Sequence, residues 1–85
     1  MVHEGDIVTV FNSIHRVMKA ERVLKLARLE ILLIPVPREL SSDCGLAIRC
    51  ARDAWPGVRA RLEEENLLPS AIYRRLREGF EPVEG

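Results

Sequence analysis

The sequence predicts an α+β fold: a ferredoxin-like β-α-β-β-α-β sandwich, with two helices covering one face of a four-stranded antiparallel sheet. Three observations predict it. Strand-type and helix-type periodicities alternate in that order along the chain. At 85 residues the chain is a single domain at most. Finally, Pro35 and Pro37 close the second strand. Proline cannot donate a ladder hydrogen bond, so it marks an edge strand, and this topology places strand two at an edge.

The first strand is Ile7-Val8-Thr9-Val10-Phe11, β-branched and aromatic, bounded by Gly5-Asp6 and Asn12-Ser13. Ser13 is then the N-cap of a helix running from about Ile14 to about Arg28. Ile14, Val17, Met18, Leu24 and Ala27 recur near helical period, and Arg16, Lys19, Arg22 and Lys25 face away. Glu21 and Lys25 form a favourable four-residue pair. The second strand spans Glu30 to Val36, and the third is Leu46-Ala47-Ile48-Arg49-Cys50. The second helix opens at Asp53 or Trp55, with Pro56 in its first turn. Trp55, Val58 and Leu62 make its apolar stripe, and Asn66 with Pro69 closes it. Ser70-Ala71-Ile72-Tyr73-Arg74 is a short fourth strand. The domain is thus expected over residues 6–77, and residues 78–85, rich in Gly, Pro and Glu, are expected as a flexible tail.

Composition narrows the function. Thirteen basic and thirteen acidic residues cancel, which argues against a nucleic-acid or anionic-membrane binder, where a basic excess is needed. Ile31-Leu32-Leu33-Ile34 falls far short of the ~20 apolar residues of a membrane span, and the N-terminal residues lack a signal-peptide pattern. A cytoplasmic protein is expected, with its two cysteines as free thiols.

Cys44 is the residue through which chemistry enters. It ends the polar loop Pro37-Arg38-Glu39-Leu40-Ser41-Ser42-Asp43, next to Gly45 and just before an apolar strand. A thiol placed there is reachable, whereas one needed only for packing belongs inside the strand, where Cys50 sits. In the expected topology the strand-one-to-helix-one turn and this loop share one end of the sheet. Asn12, Ser13 and His15 then approach Arg38 and Cys44. The helix N-terminus, Arg38 and His15 would favour the thiolate. The run Glu63-Glu64-Glu65 at the end of helix two reaches the same end and would oppose it, though solvated and screened.

Each candidate also has a plainer reading. Cys44 is either reactive or a half-buried structural cysteine. Gly45 either allows positive φ or close approach, or is an ordinary turn residue. Ser41 and Ser42 either donate to a bound anion or simply turn the chain. Arg38 either steers an anionic sulfur or selenium species or is a solvated charge. His15 either orients Cys44 or is an exposed helix-start residue. The charges on helix one either solvate it or dock a partner. Cys44 and Cys50 lie about 20 Å apart along one strand, too far for a disulfide, which needs Cα atoms within ~7 Å. Their spacing does not match a paired-cysteine metal site, and no phosphate loop or serine–histidine–acid pattern is present.

Several segments carry a family likeness: Phe11-Asn12-Ser13, Ala20-Glu21, Val23-Leu24, the block from Pro35 to Arg49, and Ile72-Tyr73. Together they resemble the putative selenium/sulfur carrier protein-like family, over roughly Val8 to Arg74, and the proline–arginine–serine–cysteine–glycine block is the specific part. Trp55-Pro56-Gly57 departs from the more polar helix start expected there. The resemblance implies that Cys44 carries sulfur or selenium as a persulfide or selenosulfide. The partners implied are a donor such as a cysteine desulfurase and an acceptor protein, with no cofactor or metal required. A homodimer is compatible, and in it two Cys44 thiolates could pair on a metal. The alternative is a non-catalytic binding or regulatory module in which Cys44 is structural or redox-sensing.

Overall fold

Ile7–Val10 forms β1, and all four residues are buried. The computed structural model describes residues 2–41 and 44–84. Burial on both sides explains why β1 reads as a continuous apolar run. Ile7 joins Ile48, Cys50 and the helices in one core. Val8 and Val10 join Ile34 and Ala47 in a second core on the opposite face. Thr9 is the polar exception, and its hydroxyl donates to the Ile48 carbonyl at 3.1 Å.

Helix α1 spans Ile14–Leu26. The Ser13 hydroxyl accepts from the Arg16 N–H at 3.2 Å, as expected of the N-cap. Val17, Ala20 and Leu24 are its buried stripe, and Glu21 and Lys25 pair at 3.1 Å. The helix ends in a Schellman motif: Arg28 takes φ 63°, its N–H reaches the Lys25 carbonyl, and the Leu29 N–H reaches that of Leu24. Strand β2 (Leu32–Pro35) and strand β3 (Leu46–Cys50) follow, then a 3₁₀ turn at Arg52–Ala54 and helix α2 (Trp55–Glu64). Helix α2 closes in the same way, with Asn66 at φ 57° and the Leu67 N–H on the Leu62 carbonyl at 2.8 Å. Strand β4 is Ala71–Arg75.

The expected antiparallel sheet and two helices are present, and both helices pack into the core that contains Ile7, Ile48 and Cys50. The count of four strands is corrected to five. Phe80–Pro82, in the stretch expected to be a flexible tail, forms β5 and pairs with β4, Tyr73 opposite Pro82 and Arg75 opposite Phe80. A turn sealed by the Leu76 N–H on the Gly79 carbonyl, 2.8 Å, brings it back. Phe80 then packs on the Val8–Val10 face.

The strand order is β2-β3-β1-β4-β5, with every neighbouring pair antiparallel. Strand β2 is therefore an edge, and its prolines fit that place. The Val36 N–H donates to the Gly45 carbonyl at 3.0 Å. Alternate residues of an antiparallel strand donate to the same neighbour, so the missing N–H of Pro35 falls on the open side. Pro82 occupies the equivalent place on the other edge, beside the Val83 N–H that donates to Ile72.

The loop after β2 folds over the face opposite the helices. Leu40 and Val36 pack on the Val8–Val10 core. Pro37 to Leu40 is a closed turn, with the Leu40 N–H on the Pro37 carbonyl at 2.9 Å. Glu39 reaches Arg75 at 3.9 Å, and the Arg75 guanidinium sits 5.0 Å from the Phe80 ring centre. Among the described residues, no helix is long and apolar enough to cross a membrane.

Candidate functional site

The loop returns to the sheet at Cys44-Gly45. Gly45 has φ +76°, and a Cβ built there would meet nothing within 4 Å. Its role is therefore backbone conformation rather than close approach. That turn aims the half-buried Cys44 back towards the end of β1. The Cys44 Sγ–H donates to the Phe11 carbonyl at 3.5 Å and to the Leu46 carbonyl at 3.3 Å. Phe11 leads directly into Asn12 and the Ser13 cap, so the cysteine lies against the N-terminal approach to α1, where the helix dipole is positive.

Past the end of β1 is an open cleft of about 330 Å³, lined by Phe11, Asn12, Ser41, Ser70 and Tyr73 among others; it shares Phe11 with the thiol's contacts, but Cys44 itself does not line it. Ser70 is fixed there, because its N–H and hydroxyl both donate to the Val10 carbonyl, at 2.9 and 3.0 Å. Sequence reasoning placed Asn12 and Ser41 in this region but not Ser70 or Tyr73. Their signal was positional: both lie in the fourth-strand segment, which the topology sets beside β1.

The other expected residues divide. Ser13 is committed to capping α1. Arg38 is exposed on the Pro37–Leu40 turn. His15 is exposed and lines a separate cleft with Lys19 and Glu65. Among the described residues neither Arg38 nor His15 hydrogen-bonds or ion-pairs with Cys44. Ser42 lies outside the described residues. The acidic end of α2 does reach the start of α1, as expected: Glu65 lines the cleft of His15 and Lys19, and Arg16 donates to the Asn66 and Leu68 carbonyls at 3.4 Å, while Arg61 reaches Glu64 at 3.3 Å and Glu65 at 3.8 Å.

Cys50 differs from Cys44 in its burial. It is 1% exposed, on the core face of β3. Burial pushes its thiol up to about 12, with Arg49 pulling it down and Asp6 adding to the rise. Both cysteines are free.

The far end of the sheet holds a feature the sequence reading passed over. Asp6 is buried, accepts from the His3 N–H at 2.8 Å, and pairs with Arg49 at 2.8 Å. Burial works to raise the Asp6 carboxyl, but the Arg49 guanidinium and the His3 N–H together outweigh it and hold the group below its ordinary value. A charged residue inside the otherwise apolar third strand was the available signal. A larger cleft, about 500 Å³, lies at that end, with Glu4, Asp53, Arg52 and Arg75 in its walls. Its mixed charge and its place at the opposite end of β3 separate it from the Cys44 site. Among the described residues, no group of three or more His, Cys, Asp or Glu side chains is arranged to hold a metal ion.

A family model described as Putative Se/S carrier protein-like matches residues 6–74, from the buried Asp6 through both helices and Cys44 to Arg74 in β4. No curated protein and no solved structure matches the chain.

Proposed function

The chain belongs to the putative Se/S carrier protein-like family, and we propose that it carries activated sulfur or selenium on Cys44 and passes it to an acceptor protein. The observation that carries this reading is the contrast between its two thiols: Cys44 half-buried at a loop end, Cys50 sealed in the core. In the transfer, the Cys44 thiolate attacks the terminal sulfur of a donor persulfide such as that of a cysteine desulfurase. A bond forms from Cys44 Sγ to that sulfur, the donor's S–S bond breaks, and the donor cysteine leaves as a thiolate. The Cys44 proton goes to solvent, and the leaving thiolate takes one up. The transferred atom keeps its oxidation level, so no oxidant or cofactor is consumed. Selenium in the same position gives Cys44–S–SeH.

The setting fits this chemistry. The N-terminal end of α1, which follows closely on the Phe11 that touches the sulfur, offers positive potential to an anionic terminal chalcogen. Gly45 sets the direction of the thiol. Arg38 and His15, both exposed, are assigned outer, steering roles. Such an exchange belongs in a reducing cytoplasm. A ferredoxin-like assignment is supported by the order β2-β3-β1-β4 and by both helices packing on one face.

The test is intact-mass analysis after incubation with a cysteine desulfurase and cysteine. Wild type should gain about 32 Da, one sulfur, removable by a thiol reductant. Equal gain on Cys44→Ala, or none on wild type, rejects the carrier. One observation favours a second reading, a binding module with a structural or redox-sensing Cys44: its Sγ bonds two backbone carbonyls and packs on the core. Slow alkylation of Cys44 by iodoacetamide, rising with pH like a free thiol, would support that reading instead.

A further inference from the structure

Three of the chain's most exposed large apolar side chains sit on one helix: Ile14 (44%), Met18 (41%) and Leu26 (76%). The buried stripe of α1 is Val17, Ala20 and Leu24, so these three lie on the side turned away from the sheet. Their exposed neighbours are basic: His15, Lys19, Arg22 and Lys25. Two acids lie nearby: Glu21 is engaged by Lys25 at 3.1 Å, and Glu65, which lines a cleft with His15 and Lys19, is engaged by Arg61 at 3.8 Å. Among the described residues, Lys19 and Arg22 have no ion-pair partner. Because the whole chain has formal net charge +0, this helix face is a local segregation of positive charge, balanced by acids elsewhere.

We infer that this face of α1 is the docking surface for the protein that delivers the chalcogen to Cys44, and that the donor presents an acidic, apolar-bearing surface to it. The inference rests on the carrier reading. Transfer between two cysteines requires the two sulfurs to reach bonding distance, so some surface bordering Cys44 must be covered by the donor. Helix α1 begins two residues after Ser13's neighbour Asn12, and Phe11, just before it, touches the Cys44 sulfur. The segment that touches the thiol therefore leads within three residues into the helix that bears this face. Charge complementarity selects an acidic partner and speeds its approach, and Leu26, Met18 and Ile14 supply the apolar contacts that a steered encounter needs in order to persist.

The experiment compares two donors on one set of variants. A persulfidated cysteine desulfurase supplies the protein donor, and glutathione persulfide supplies a donor too small to use the helix face. Loading of Cys44 is followed by intact mass. In Lys19→Glu/Arg22→Glu, loading from the desulfurase should slow about tenfold or more at low salt, the gap closing as salt screens the charges. Loading from glutathione persulfide should match wild type, which also shows that the variant is folded. Lys19→Arg/Arg22→Lys should behave as wild type with both donors. Wild-type rates from the desulfurase in the charge-reversal variant overturn the docking surface and leave the carrier standing, as does equal slowing with both donors. The same holds if wild type loads from glutathione persulfide but not from the desulfurase. Failure of wild type with both donors removes the carrier reading and this inference with it. Self-association of wild type that the charge reversal abolishes, or co-sedimentation with phosphatidylserine vesicles that it abolishes, reassigns the face to a second copy or to a membrane and also overturns the proposal.

Discussion

At Gly45 the backbone sits at φ +76°, where the Cβ of an L-residue crowds the next carbonyl. Open space surrounds the site, so an added methyl group meets no neighbour and the backbone alone sets the cost. Gly45→Ala should therefore lower unfolding free energy by about 1–2 kcal/mol, read from urea denaturation. No measurable change would mean that this turn relaxes freely and does not aim Cys44. The two thiols give a second residue-scale expectation. Native protein should take up one iodoacetamide equivalent at Cys44 at neutral pH. Cys50, buried and pushed up to about 12, should react only after denaturation. Peptide mapping before and after guanidine checks it, and native labelling of Cys50 would contradict the buried assignment. The position of Cys44 was legible in the sequence because a glycine-flanked cysteine outside an apolar strand has few packing reasons to be there. Its partners among the described residues include the carbonyls of Phe11 and Leu46, which were not legible because backbone acceptors have no sequence signature.

Among the elements, the strongly periodic ones were readable and the ends were not. Ser13 was visible as a cap because its hydroxyl satisfies a helix-start N–H that other side chains leave open. The two prolines of β2 revealed an edge because the lost donor has only one tolerable direction. Strand β5 escaped because Phe80-Glu81-Pro82 is too short and too rich in turn-forming neighbours for any period to show, and only its partner β4 makes it a strand. Helix ends offer a test at this scale. Both helices close through a left-handed residue, but α2 uses Asn66 and α1 uses Arg28. Asparagine tolerates that conformation, whereas arginine bears its full steric cost of about 1–2 kcal/mol. Glycine at position 28 would remove the cost, and its greater freedom in the unfolded chain would return about 0.4–1 kcal/mol of it. Arg28→Gly should then stabilise the protein by about 0.5–1 kcal/mol, and Asn66→Gly by less. Thermal melts of both variants check the order, and a destabilised Arg28→Gly would show that the arginine side chain contributes more than its backbone strain costs.

For the whole molecule, the sheet joins two ends with different tasks. One end presents Cys44 beside the start of α1. The other is closed by Asp6 and Arg49, one from the approach to β1 and one from β3, which ties together the central pair of strands. This second end has a consequence for acid stability. The Asp6 carboxyl is held below its ordinary value in the folded state, so folding favours the ionised form. Its contribution is complete above the unfolded-state value near pH 4 and is lost as pH falls through the lower folded value. Wild type should therefore hold its stability from pH 7 to about pH 5 and lose it progressively below about pH 4. Asp6→Asn keeps the size and an acceptor oxygen but removes the charge opposite Arg49. It should be less stable than wild type by on the order of 2 kcal/mol at pH 7, with the difference shrinking towards acid. Chemical denaturation of both proteins at pH 7, 5 and 3 measures this. A constant difference across that range would assign the loss to packing rather than to the charge. Loading of Cys44 in folded Asp6→Asn should be unchanged at pH 7, because the ion pair lies at the opposite end of the sheet from the thiol.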